Sequence, residues 1–132
     1  MLANRSIPRS SVIPELPYGD VNDAAAWLTR AFGFTVRVSI GDHRIQLNVE
    51  DGAVVLVQGN GACRLLVRVE DVDAHHERAV AAGARIVRPP ATHAYGERQY
   101  TAQDPGGHTW TFSQSVEDVA PESWGGTSVH LE

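Results

Sequence analysis

Lysine is absent. All eleven cations of the 132-residue chain are arginine, so Schiff-base chemistry on a lysine amine is excluded. Cysteine is nearly absent: Cys63 stands alone. No disulfide can form within the chain, a pattern that fits a reducing cytoplasm. Cys63 has no activating partner at a recognisable spacing and reads as a small half-buried residue rather than a nucleophile. No apolar run reaches the length of a membrane span, so no membrane partner is expected. Residues 1–10 lack the apolar stretch of a secretory leader and read as a flexible lead. A basic patch is missing as well. The net charge is −5 and the arginines are scattered, which argues against nucleic acid as a partner. Glycine-rich phosphate loops and nucleophile–base pairs at recognisable spacing are missing. The six histidines fall in neither a zinc-protease nor a zinc-finger spacing.

What is present is an ordinary globular balance, 42% apolar and 20% charged, in a chain long enough to bury one core without disulfides or metal. Ser11–Tyr18 reads as an edge strand, since it carries Pro14 and Pro17. Asp20 is placed to cap a helix whose inward stripe is Val21, Ala24, Ala25, Leu28, Ala31 and Phe32, ended by Gly33. Strands are expected at about 34–40, 44–50 and 53–58, with Asp51-Gly52 as a tight hairpin signal. The pattern then returns. Leu65, Val67 and Val69 alternate as a strand. Asp71 caps a second helix, striped with Val72, His75, Ala79 and Ala82. Gly83 stops it, and strands follow near 85–88, 97–103 and 108–114. Pro89 to Ala94 reads as a loop. Asp104-Pro105-Gly106-Gly107 reverses the chain between the last two strands. Asp20 and Asp71 lie 51 residues apart and Gly33 and Gly83 lie 50 apart, so the chain holds two copies of a β-α-β-β-β unit, about 11–59 and 64–114. Each is too small to stand alone, so the two should pack together.

The duplicated unit, with Ala31-Phe32-Gly33-Phe34, Glu70-Asp71-Val72-Asp73-Ala74, Ala81-Ala82-Gly83-Ala84 and Asp104-Pro105-Gly106-Gly107-His108, resembles the vicinal-oxygen-chelate superfamily over about residues 11–120. Tyr95-Gly96-Glu97-Arg98 and the segment after Ser115 look most like its single-domain glyoxalase and bleomycin-resistance members. The resemblance implies an α+β fold: two tandem βαβββ units forming cupped mixed sheets, with helices on the convex side, followed by a C-terminal tail over 121–132. It also implies a small-molecule ligand and a homodimer whose cups are completed by a second chain. Metal-using relatives carry His, Gln or Glu on the concave faces of their first and last strands. The matching positions here are Ile13, a valine within 55–57, Arg64 and Thr111. A divalent metal wants three or four converging His, Asp, Glu or Cys donors, and a permanently charged arginine repels it. No metal or other cofactor is therefore expected.

Alternation assigns the cup-facing residues. Glu15, facing a cup with apolar neighbours, is the candidate acid or base. Its competing role is a salt bridge to Arg64 or Arg68. Gln46, Asn48, Gln99, Thr101 and Thr111 offer neutral hydrogen-bonding groups, Arg64 and Arg68 positive charge, and His93 and Tyr95 a border to the ligand. Trp124, the one large apolar residue of the tail, packs over the sheet or a partner or caps the cavity. Neutral groups on a concave sheet suit binding an organic compound better than chemistry on one. The expectation is a metal-independent binding protein that sequesters an antibiotic or another aromatic or amide-rich compound. The alternative is a glyoxalase-like lyase or isomerase acting on a small oxygenated substrate.

Overall fold

The computed structural model describes residues 2–130. Its two units each build one four-stranded mixed sheet. The first comprises β1 (Glu15–Tyr18), α1 (Val21–Phe32), β2 (Thr35–Ile40), β3 (Arg44–Val49) and β4 (Gly52–Gln58), in sheet order β1-β4-β3-β2. The second comprises β5 (Arg64–Arg68), α2 (Val72–Ala81), β6 (Arg85–Thr92), β7 (Glu97–Gln103) and β8 (Thr109–Ser115), in order β5-β8-β7-β6. The first strand of each unit runs parallel to the last, and the others pair antiparallel. A short 3-10 turn, Pro121–Trp124, follows.

The helix ends form as their sequences dictate. Asp20 and Asp71 each accept a hydrogen bond at 3.0 Å from the backbone N–H three residues on, which satisfies one of the unpaired donors of a first turn. Gly33 ends α1 in the left-handed region at φ 77°. Arg78 of α2 then donates to the carbonyls of Thr29 and Arg30, so one helix neutralises the C-terminal carbonyls of the other.

The inward stripe of α1 is buried at every expected position. Phe32 lies at its centre, with the rings of Trp27, Phe34, Trp110, Phe112 and His75 all within 5.8 Å. The helix-facing residues of both sheets, among them Leu16, Leu47, Leu56, Tyr100 and Phe112, join one core. The open faces of the sheets point away from it.

Three boundaries differ from the sequence reading. Regular pairing in β1 begins at Glu15, not Ser11, because Pro14 has no N–H to give a ladder. The β3–β4 turn is Glu50-Asp51, with Val49 opposite Gly52. Glu50, not glycine, takes the positive φ of 51°. The expected loop at 89–94 is mostly strand: β6 runs through Pro89-Pro90 to Thr92. It is the outer strand of its sheet, where proline is tolerated, and its pairing with β7 slips twice, between Ile86 and Arg88 and between Arg88 and Ala91.

Candidate binding face of the second sheet

Register fixes what the open face of the second sheet presents. One row across its four strands reads Arg64, Thr109, Gln103, Arg85. The next reads Leu66, Thr111, Thr101, Arg88, and the third Arg68, Ser113, Gln99, Ala91. In a regular strand, Arg85 and Arg88 would point to opposite faces. The bulge after Ile86 puts both on the open one.

A cavity of about 490 Å³ lies on this face, lined by Arg64, Leu65, Leu66, Tyr95, Gln99, Thr111 and Trp124. Tyr95 and Trp124 form its aromatic wall, ring centroids 5.3 Å apart, and His93 stacks flat on Tyr95 at 5.0 Å. Gly96 makes the wall possible. Its carbonyl accepts from the N–H groups of Val116 and Glu117, which draws the tail back beside Tyr95. Gln99 of the lining belongs to a hydrogen-bonded line: Tyr95 Oη donates to Gln99 Oε1 at 3.1 Å, Gln99 Nε2 donates to Ser113 Oγ at 3.0 Å, and Ser113 Oγ donates to Glu97 Oε1 at 2.6 Å. Thr101 and Thr111 share a hydrogen bond of 2.9 Å. Burial opposes the Glu97 charge, but the Ser113 and Ser115 hydroxyls and the Arg68 guanidinium outweigh it and hold this carboxyl below its usual range. Leu66, on the edge strand β5, is 69% exposed.

The candidate residues therefore divide. Arg64, Tyr95, Gln99, Thr111 and Trp124 meet in this cavity. Thr101 lies beside it, against Thr111. His93 stands behind Tyr95. Arg68 is on the same face in the row of Gln99, donating to Ser115. Gln46, Asn48 and Glu15 lie on the other sheet. Gln46 is buried, accepting from Arg37 at 2.6 Å and donating to the Ser6 carbonyl at 2.8 Å. The lead residues Arg5 and Ser6 thus sit on the open face of the first sheet, with Pro8 buried beside them. Asn48 donates to Thr35 at 3.2 Å. Glu15 does form a salt bridge, but to Arg44 at 2.5 Å, two strands away in its own sheet, rather than to Arg64 or Arg68. Its side chain is 54% exposed. Sequence reasoning overlooked Arg85, Arg88 and Glu97. The two arginines fall on the strand expected near 85–88, but the bulge between them hides that they share a face.

Cys63 does have a neighbour. Its Sγ lies 3.3 Å from His108 Nδ1. The Cys63 backbone N–H donates to that same nitrogen at 3.0 Å, so Nδ1 is an acceptor. The proton sits on Nε2, which donates to the Pro17 carbonyl at 2.7 Å. Burial and then the negative Asp104 push the Cys63 thiol up from its ordinary value, so the sulfur is held as a thiol and not activated. His108 ties the units together.

The positions that resemblance matches to metal ligands of related proteins are Ile13, a valine within 55–57, Arg64 and Thr111. This donor set does not fit a divalent cation. Among the described residues, no three His, Cys, Asp or Glu side chains converge elsewhere either.

The chain belongs to the glyoxalase/bleomycin resistance protein/dioxygenase superfamily, whose family model matches residues 12–112. In fold it is similar to TioX from Micromonospora sp. ML1, with 34% identity, a TM-score of 0.73, and coverage of 81% of this chain and 99% of that one. It is also similar to a bleomycin resistance determinant encoded on the transposon Tn5, with 19% identity, a TM-score of 0.69, and coverage of 82% and 99%. Among curated proteins it matches an uncharacterised protein of Mycobacterium bovis, 41% identical over 51 residues. That match covers 39% of this chain and 34% of the relative, so the likeness spans about a third of the curated protein's length.

Proposed function

We propose that the protein binds a small organic molecule on the open face of its second sheet, as a sequestering protein and without metal. One observation carries the reading: a cavity of about 490 Å³ with an aromatic wall, Tyr95 and Trp124, over the neutral hydrogen-bonding side chains of Gln99 and Thr111. The volume suits a drug-sized ligand, and apolar walls with a few convergent polar groups are how such sites are built. Gln99 and Thr111 can each accept and donate, which fits an amide-rich or oxygenated aromatic compound. An antibiotic is one such compound.

The cavity is walled by one unit only, and Leu66 of its lining is bare. A second copy of the chain laid over this face would close it, so we propose a homodimer in the cytoplasm, the compartment a lone free thiol suits. The lyase or isomerase alternative would need an acid or base in the cavity. The residues that line it, Arg64, Leu65, Leu66, Tyr95, Gln99, Thr111 and Trp124, include no His, Asp, Glu or Cys.

The test uses N-phenyl-1-naphthylamine, a neutral aromatic dye. Saturable fluorescence enhancement by the intact protein, weakened about tenfold or more by Trp124→Ala, supports the site. Absence of saturable binding, or binding indifferent to Trp124→Ala, overturns it. Sedimentation equilibrium reads the dimer independently.

A further inference from the structure

The aromatic cavity opens at one end onto a different surface. Beyond Arg64 and Thr111, a second cavity of about 290 Å³ is lined by Arg64, Arg85, Arg88, Thr101, Gln103, Thr109 and Thr111, with Val87 at its rim. Three guanidinium groups border it and no carboxylate does. None of the three arginines is in an ion pair with a described residue: the ion pairs join Arg44 to Glu15 and Arg98 to Asp73. Arg85 bonds only the neutral Gln103 amide, at 3.1 Å. This grouping stands in a chain of net charge −5.

The backbone creates it. Arg64 is on one edge strand and Arg85 on the other, in a single row. Three strand spacings separate them by about 14 Å, and an arginine side chain reaches about 7 Å, so the two can converge over the strands between them. The β6 bulge adds Arg88 from the next row. Beneath them lie the hydroxyls of Thr101, Thr109 and Thr111 and the Gln103 amide. Guanidinium forks over hydroxyl donors are the arrangement that recognises carboxylate, phosphate and sulfonate oxygens.

We propose that this basic end binds an anionic group of the ligand, so that the protein selects aromatic compounds bearing a carboxylate, phosphate or sulfonate over their neutral counterparts. The proposal rests on the binding function above, with the ring against Tyr95 and Trp124 and the anion between Arg64, Arg85 and Arg88. It makes the face bipartite and explains why a cup position that metal-using relatives fill with a ligand holds Arg64 here.

The experiment compares two dyes of like shape on the intact protein: 1-anilinonaphthalene-8-sulfonate, which is anionic, and neutral N-phenyl-1-naphthylamine. The sulfonate is expected to bind about tenfold or more tightly. That advantage should shrink as sodium chloride is raised, because exposed charges are screened. The double variant R85Q/R88Q should lose most of the advantage while N-phenyl-1-naphthylamine affinity stays within twofold. Both side chains are exposed, so its thermal midpoint should match the wild type and a folding defect would be visible separately. Inorganic phosphate and acetate, used as competitors, should displace the sulfonate dye and not the neutral one. Equal affinity for the two dyes, or a sulfonate preference untouched by R85Q/R88Q, overturns the anion site while leaving the aromatic cavity standing. Sulfonate binding that needs the arginines, without saturable binding of the neutral dye, upholds the anion site and removes the aromatic one.

Discussion

Tyr18 donates a 2.5 Å hydrogen bond to Asp104 across 86 residues of sequence, from the end of β1 in the first unit to the β7–β8 turn in the second. The same carboxylate accepts from Trp110 Nε1 at 2.9 Å and from the backbone N–H groups of Gly106 and His108 at 3.0 Å. Asp104 is buried, yet its lone pairs are matched by four donors. It both shapes the turn and clamps the two units. The Tyr18 phenol, held by burial and by the neighbouring carboxylate, is pushed far above its ordinary range and stays protonated.

Removing that carboxylate should be costly. Asp104→Ala strands a phenol, an indole N–H and two backbone N–H groups, and we expect a loss of about 3–5 kcal/mol in urea unfolding. Tyr18→Phe should cost only about 1–2 kcal/mol. The two should be strongly non-additive, because the phenol has no acceptor once Asp104 is gone. Additive losses would show that Asp104 stabilises only its own turn.

Gly96 is expected to be the most demanding glycine near the site. Its φ is 83°, and a Cβ there would lie 2.3 Å from the Glu117 carbonyl oxygen. Gly107 has a similar φ of 88° with nothing within 4 Å. Gly107→Ala should therefore cost about 1 kcal/mol for backbone strain alone. Gly96→Ala should cost more by about 1–3 kcal/mol, since overpacking adds to the strain. It should also detach the tail, seen as red-shifted Trp124 emission and faster amide exchange over 116–126.

The His75 ring packs tilted against Phe112 with centroids 4.0 Å apart, and its Nδ1 lies 2.5 Å from Tyr100 Oη. Burial, with a further push from the positive Arg78, lowers its pKa to about 4, against the opposing Phe32 backbone contact. The unfolded chain binds this proton from about pH 6.5 and the folded chain only near 4. Stability is therefore undiminished above pH 6.5 and falls as pH drops from 6.5 towards 4, by about 2–3 kcal/mol in all. Denaturant midpoints across that range should show the slope, and His75→Gln should remove it. A slope that survives the substitution would assign it to other groups.

Glu50 takes φ 51° in the β3–β4 turn with no glycine to relieve it. Asparagine accepts this conformation more readily. Glu50→Asn should therefore raise stability by about 0.5–1 kcal/mol, read as a higher thermal midpoint.

The fold was legible because its signals are local and duplicated. Asp20 and Asp71 cap helices, Gly33 and Gly83 end them, and the stripe of α1 needs only a period of 3.6 to be seen. The candidate face was legible where strands are regular: Arg64, Gln99 and Thr111 face the cavity as alternation requires. It was illegible where distance in sequence hides contact. Nothing in the order of residues says that the lead covers Gln46, that Glu15 meets Arg44 and not an arginine of the other unit, or that His108 approaches Cys63. Arg85 and Arg88 were hidden by a bulge, which reverses the parity that alternation relies on.

The two prolines of β6 carry a consequence for assembly. Pro89 and Pro90 lie on the outer strand of the second sheet, where they offer no amide hydrogen, and the strand is bulged on either side of Arg88. An incoming strand would find neither the donors nor the straight register it needs. Growth of this sheet sideways into a fibre or a continuous two-chain sheet is blocked at that edge. Any further strand added to this sheet would have to pair with β5, at the opposite edge.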